Sequence, residues 1–352
     1  MITQAYITSI ASLPLAYKFP AETRGATEYP VDAWDLLQFG ACPARWVNTP
    51  RQEHEPKVSL SEVVRLLHLT PEHVGPHYVM RPETYEAMRN ECPKCQSVSA
   101  AKVCRTCNLA RRMVTATKPW SAAASYCIQW TEGHTKQLHR IVPYDLAQTA
   151  QELTRALDND EAVAALRAAS ELQAALRAQW EDEDTGLKIP LRAVINYLPT
   201  QGDSHDYGVG SLSVVRDVSP AAWSAAAYTR GHHVAAAFKQ DIAAALCGEA
   251  RPHHLWVVVE PDPPYIVGRR RTTPEMLTAG RTAYQELLKA YARCLSTGIW
   301  PVFDTSVPGP VRAWTEWFLE PWMTQGDGKT DRFFGVAASR ALEPPQPLAK
   351  AA

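Results

Sequence analysis

The chain has no run approaching the roughly 18 apolar residues that a membrane-spanning helix needs, and no basic segment leads into an apolar one at its start. Neither a membrane span nor a secretory signal is therefore expected, and the expected compartment is the cytoplasm. Net charge is also nearly absent, since 36 Lys+Arg against 37 Asp+Glu leave -1. That excludes a global field drawing the protein to nucleic acid, so any such contact must come from a local patch. The candidates are Arg111 and Arg112, and the run Arg269, Arg270, Arg271. Each also suits a solvated face or a salt-bridged turn. No internal repeat is found, and 46% hydrophobic with 9% aromatic residues excludes a disordered or fibrous chain. At 352 residues the chain can bury one sizeable core with a smaller module, or form two ordinary domains.

The eight cysteines lack the pattern of a disulfide framework. Cys42, Cys127, Cys247 and Cys294 are scattered, whereas Cys92, Cys95, Cys104 and Cys107 form a C-x2-C-x8-C-x2-C array. Two thiolates two residues apart grip one tetrahedral ion, and a second such pair completes four ligands with no open position. Structural Zn2+ fits best. An iron–sulfur cluster, a redox pair and unligated thiols are the alternatives.

Hydrophobic spacing predicts an irregular arm over residues 1–28, a helix over 31–39 and a second over 59–69 capped by Ser59 or Ser61. Residues 143–180 read as two Ala/Leu-rich helices broken near Asp158, Asn159 and Asp160. Strands are expected over 189–198, 209–215 and 255–259, the last apolar throughout and hence buried. Helices are expected over 220–247 and 274–295, and a mobile tail over about the last 25 residues. Helices, then strands, then helices predict an α/β (α+β) core with a mixed sheet flanked by helices.

From Trp180 through Leu187, then Ile189 to Asn196, Gly210 to Pro220, Val259 to Gly268 and Gly280 to Pro301, the chain resembles the PD-(D/E)XK nuclease domain of the RecE-type, exonuclease VIII-like exodeoxyribonucleases of prophages. The stretch from Trp34 to Trp46, ending Cys42-Pro43-Ala44-Arg45-Trp46, resembles that family's opening helix and turn. The resemblance implies a restriction-endonuclease-like core over 150–303, preceded by an N-terminal arm and helices (1–90), a zinc module (91–110) and a connecting helical region (111–149), and followed by a C-terminal extension and tail (304–352).

In that family an aspartate and the acid of an Asp/Glu-x-Lys bind Mg2+, which polarises the phosphodiester and activates water, while the lysine orients the nucleophile or stabilises developing charge. Carried over, the aspartate falls on Asn196, the Asp and Lys on Ser211 and Ser213, and a downstream Gln and Tyr on Ala235 and Lys239. Asn keeps the shape of Asp without its charge, and Ser replaces neither a carboxylate nor an ammonium, so the resemblance implies that Mg2+ is not bound and hydrolysis is lost. Three functions then compete. One is a DNA-binding pseudo-nuclease that holds duplex ends, with phosphate contacts from Arg216, Lys239, Arg269, Arg270 and Arg271. The second is an active double-strand exonuclease using shifted acids among Glu171, Asp203, Asp206 and Asp217 with His205, His232 or His233. The third is a zinc-containing scaffold. The resemblance adds phage-type recombination as the setting, a single-strand annealing protein as partner and a homo-oligomeric ring as assembly.

Overall fold

The computed structural model describes residues 2–8, 24–49, 58–200, 208–248 and 251–302. The chain divides into units 1–300 and 301–352, and the fold lies in the first. The expected tail falls outside the described residues, as do Asp203, His205 and Asp206.

A six-stranded mixed sheet forms the centre, in the order β1 (Ile2–Thr8), β4 (Ser170–Glu181), β5 (Lys188–Pro199), β6 (Val209–Val214), β7 (His254–Val259) and β8 (Val267–Arg271), while β2 (Thr84–Glu91) and β3 (Arg112–Pro119) belong to the separate cysteine ribbon. Only β6 and β7 run parallel; the other neighbours are antiparallel. The helices α1 (Ala33–Ala41), α2 (Pro43–Asn48), α3 (Leu60–Leu69), α4 (Ser125–Lys136), α5 (Tyr144–Asn159), α6 (Glu161–Ala168), α7 (Pro220–Thr229), α8 (His232–Cys247) and α9 (Pro274–Thr297) surround it.

Two hydrophobic cores lie on the two faces of the sheet. One joins Leu36, Phe39 and Trp46 to Phe238, Tyr284, Leu288 and Tyr291 over the sheet residues Leu176, Ile195 and Val258. The other joins α3, α5 and α6, through Val63, Leu153 and Leu166, to Leu212, Val257 and Val259. Strand β7 feeds both, Trp256 and Val258 one core, Val257 and Val259 the other, so its uninterrupted apolar run follows from burial on both faces. On the first face α8 and α9 cross closely. A Cβ on Gly280 would meet the His233 carbonyl oxygen at 2.2 Å, so no side chain fits there. Asp241 on α8 then accepts two bonds from Arg281, at 2.6 and 2.7 Å, and one from Tyr284 Oη at 2.6 Å, fixing the helix pair.

The helix expected over 59–69 is α3, and the Ser59 hydroxyl accepts from the Glu62 N–H. The break expected in the 143–180 stretch falls at Asp160, which caps α6 through the N–H groups of Ala162 and Val163. Three expectations are corrected. Ile2–Thr8 is a strand and not part of an irregular arm, because it finds β4 as a partner. Ser170–Glu181 is a strand and not the end of a helix, with Ala174, Leu176, Ala178 and Trp180 alternating into the first core. The connecting region is not wholly helical, because Arg112–Pro119 is a strand paired back onto Thr84–Glu91.

Candidate functional site

The five positions that the resemblance singles out lie on adjoining elements: Asn196 on β5, Ser211 and Ser213 on β6, Ala235 and Lys239 one turn apart on α8. Strand β5 changes partner along its length. Its first half accepts Val31, whose N–H donates to the Pro190 carbonyl and whose carbonyl accepts from the Arg192 N–H. Arg192 also ties Asp32 and Asp35 of α1 to the sheet at 3.0 and 2.9 Å. Its second half meets β6 only at Tyr197 and Gly210, where the strands diverge.

Asn196 spans that divergence. Its Oδ1 accepts from the Leu212 N–H at 2.8 Å and its Nδ2 donates to Gln173 Oε1 at 3.2 Å. Gln173, at φ 52, interrupts β4 opposite Asn196. On either side of this break, residues two apart point into different cores: Leu172 and Tyr197 into one, Ala174 and Ile195 into the other. An amide side chain that both donates and accepts is what this gap requires. Asn196→Ala leaves the buried Leu212 N–H unpaired, which costs about 1–3 kcal/mol. The expected outcome is a lower urea midpoint at an unchanged slope, the shift corresponding to that loss of stability.

On the α8 face, Ser211 Oγ lies 3.1 Å from Lys239 Nζ and 3.1 Å from His254 Nε2. Ser211 is 2% exposed and His254 0%. Burial, with repulsion from Arg65 of α3, pushes the Lys239 ammonium down to about 8, while Asp32 opposes the shift. Burial and the Lys239 charge hold His254 well below the usual histidine range, and burial with Arg230 and Lys239 brings His232 to about 4. At neutral pH, Lys239 therefore carries the positive charge here, and the imidazoles of His254 and nearby His232 are neutral.

A serine between a lysine and a histidine has the parts of an activated nucleophile. The enclosure of Ser211 and His254 denies it a substrate. Mg2+ does not fit either, because it requires oxygen ligands in near-octahedral array, and Gln173, Asn196, Ser211, Ser213, Lys239 and His254 supply no carboxylate. At about 4 Å, a divalent ion and an ammonium repel by about 8 kcal/mol even at an effective dielectric constant of 20.

The structure separates the other candidates. Lys239 is corrected as a phosphate contact, since its ammonium turns inward to Ser211. Arg270 is likewise committed, to the Val218 and Arg269 carbonyls, and Arg269 pairs with Asp160 at 3.3 Å. Arg216 and Arg271 are exposed. Asp217 accepts from the Ser219 N–H at 2.7 Å, a turn contact at the start of α7. His232 stacks on Trp223 and His233 on Tyr228, so both serve packing. Gln173, Arg65 and the pairing of His254 with Ser211 were not legible in advance, because each depends on contacts between distant segments.

The second site is local. Strands β2 (Thr84–Glu91) and β3 (Arg112–Pro119) form a two-stranded ribbon with the cysteines at its tip. The two halves of the tip repeat one turn. Gln96 N–H donates to the Cys92 carbonyl and Asn108 N–H to the Cys104 carbonyl, with Gln96 and Asn108 at φ 56 and 50. The four Sγ atoms lie within 4.8 Å of one another, and among the described residues this is the sole group of three or more such ligands that could hold a metal ion. The Ser97 hydroxyl draws the Cys104 thiol down to about 5 and lowers Cys95, while contact with Cys95 pushes Cys107 up to about 12. Four crowded thiols thus ionise against one another unless a cation joins them, and tetrahedral Zn2+ suits the donor set.

Among the described residues no helix is long and apolar enough to cross a membrane. No family model and no curated protein matches the sequence. Among solved structures, the chain is similar to the crystal structure of a putative exonuclease from Eubacterium rectale, at 12% identity over 57% of this chain and 74% of that one, with a TM-score of 0.37.

Proposed function

We propose that this chain is a nuclease-type scaffold that binds duplex DNA without hydrolysing it. The observation that carries the loss of hydrolysis is the Lys239 ammonium on Ser211 Oγ, 3.1 Å away, between the strands and helix to which the sequence resemblance assigns the metal. A fixed cation stands where a divalent cation is needed, and Asn196 is spent on holding β5 to β6. The DNA-binding part rests on the resemblance, as does the setting of phage-type recombination beside a single-strand annealing protein, in a ring of copies. Zn2+ in the cysteine site supplies structure and no chemical step.

An end-labelled linear duplex incubated with the protein and Mg2+ or Mn2+ tests the reading. The expected result is a salt-sensitive complex whose DNA keeps its full length. A metal-dependent ladder of shortened products overturns it and points to the shifted acids.

A further inference from the structure

Residues 92–131 contain no aspartate or glutamate, although 37 acidic residues in 352 would place about four in any forty. The same stretch holds Lys94, Lys102, Arg105, Arg111, Arg112 and Lys118. Arg111 is committed within the tip, to the carbonyl and hydroxyl of Ser97, while the other five are exposed. A divalent ion on four thiolates contributes -2 and Glu91 stands across from Arg112, so the tip over 91–112 carries about +2 in a chain whose total is -1.

One face of the ribbon is open. Strand alternation sets Met88 and Asn90 beside Thr115 and Met113, with Met88 59% and Met113 56% exposed. Glu86, toward the base, is the acid on that face. Its neighbours offer hydroxyl, amide and apolar groups, the types that read base edges and thymine methyls.

We infer that the metal-loaded ribbon is the arm that grips duplex DNA, its exposed tip cations Lys94, Lys102 and Arg105 on phosphates and its Met/Thr/Asn face along the major groove. Two strands about 5 Å apart fit a groove about 12 Å wide, and the charge of the tip is complementary to the duplex. The inference deepens the DNA-binding reading by placing the contact on the ribbon and not at the Lys239 site.

The test is fluorescence anisotropy of a short labelled duplex with the full, zinc-loaded chain, without added magnesium, from 50 to 200 mM salt. Each phosphate contact contributes about 0.9 to the slope of log affinity against log salt. The variant Lys94→Ala/Lys102→Ala/Arg105→Ala, checked for retained zinc, is expected to bind at least tenfold more weakly, with the slope reduced by about 2 to 3. Should that variant lose zinc, Lys102→Ala alone carries the same test with a slope reduced by about 1. Unchanged affinity in a zinc-loaded variant, absence of duplex binding by the native chain, or self-association through Met88 and Met113 overturns the arm. Hydrolysis of the duplex sinks the non-hydrolytic reading separately and leaves the ribbon measurement standing.

Discussion

Chelating the metal from the four cysteines unfolds the ribbon and leaves the six-stranded sheet folded. Among the described residues, neither hydrophobic core includes a member of β2 or β3. A lone two-stranded ribbon is marginal in water, and units below about 40 residues lean on metals or disulfides. Its ties to the body lie at the base, where Tyr85 stacks on Tyr126 of α4 at 5.7 Å and the Trp120 N–H donates to the Glu83 carbonyl. Order at the tip must then come from the metal, whose binding contributes about 10–16 kcal/mol in comparable small modules. Metal analysis should find one zinc per chain. Hydrogen exchange after chelation, or in Cys104→Ser, should show lost protection across 84–119 and retained protection in β4, β5 and β7. Cooperative melting of the whole chain, or a ribbon still protected without metal, would contradict this.

The second large effect belongs to Lys239. Its ammonium falls to about 8 in the folded chain against the ordinary 10.5. Between those values the unfolded chain binds the proton and the folded chain does not, so stability rises with pH across that window. Below about pH 8 both states are protonated and the folded state bears the full cost of the buried charge. At 1.36 kcal/mol per unit, and discounted for the partial exposure of the side chain, that cost is about 2 kcal/mol. Lys239→Met removes the charge and leaves Ser211 and His254 within hydrogen-bonding distance of each other. It should raise stability at pH 7 by about 2 kcal/mol, with the difference from native shrinking as pH rises from 8 to 10.5. A difference independent of pH would place the ammonium in water.

What the sequence disclosed was local. The cysteine spacing specified both tip turns, since ligands two residues apart fix their own geometry. Ser59 and Asp160 marked helix starts because a short polar side chain there answers the unpaired first-turn N–H groups. Ile2–Thr8 and Ser170–Glu181 escaped for a different reason. Alanine, leucine, glutamine and arginine favour helices, but the strand state of 170–181 is decided by ladders, one to the following strand β5 across a short turn and one to β1, which is remote in sequence. The Arg269–Arg271 run looked like a phosphate patch until strand alternation separated its members onto opposite faces of an edge strand. Lys239 looked cationic and available, and only the helix–sheet contact revealed where its ammonium goes. The five positions singled out by the resemblance were recognisable in the chain; that Ser211 bonds to Lys239, and Asn196 to Gln173 and the Leu212 N–H, was not.

The most direct measurement is Mn2+ binding by the zinc-loaded native chain at pH 7, followed by paramagnetic resonance of the free ion with linear duplex present. With Lys239 charged beside Ser211, no stoichiometric Mn2+ is taken up and the duplex keeps its length. One tightly bound Mn2+ per chain, accompanied by shortening of the duplex, would contradict the account.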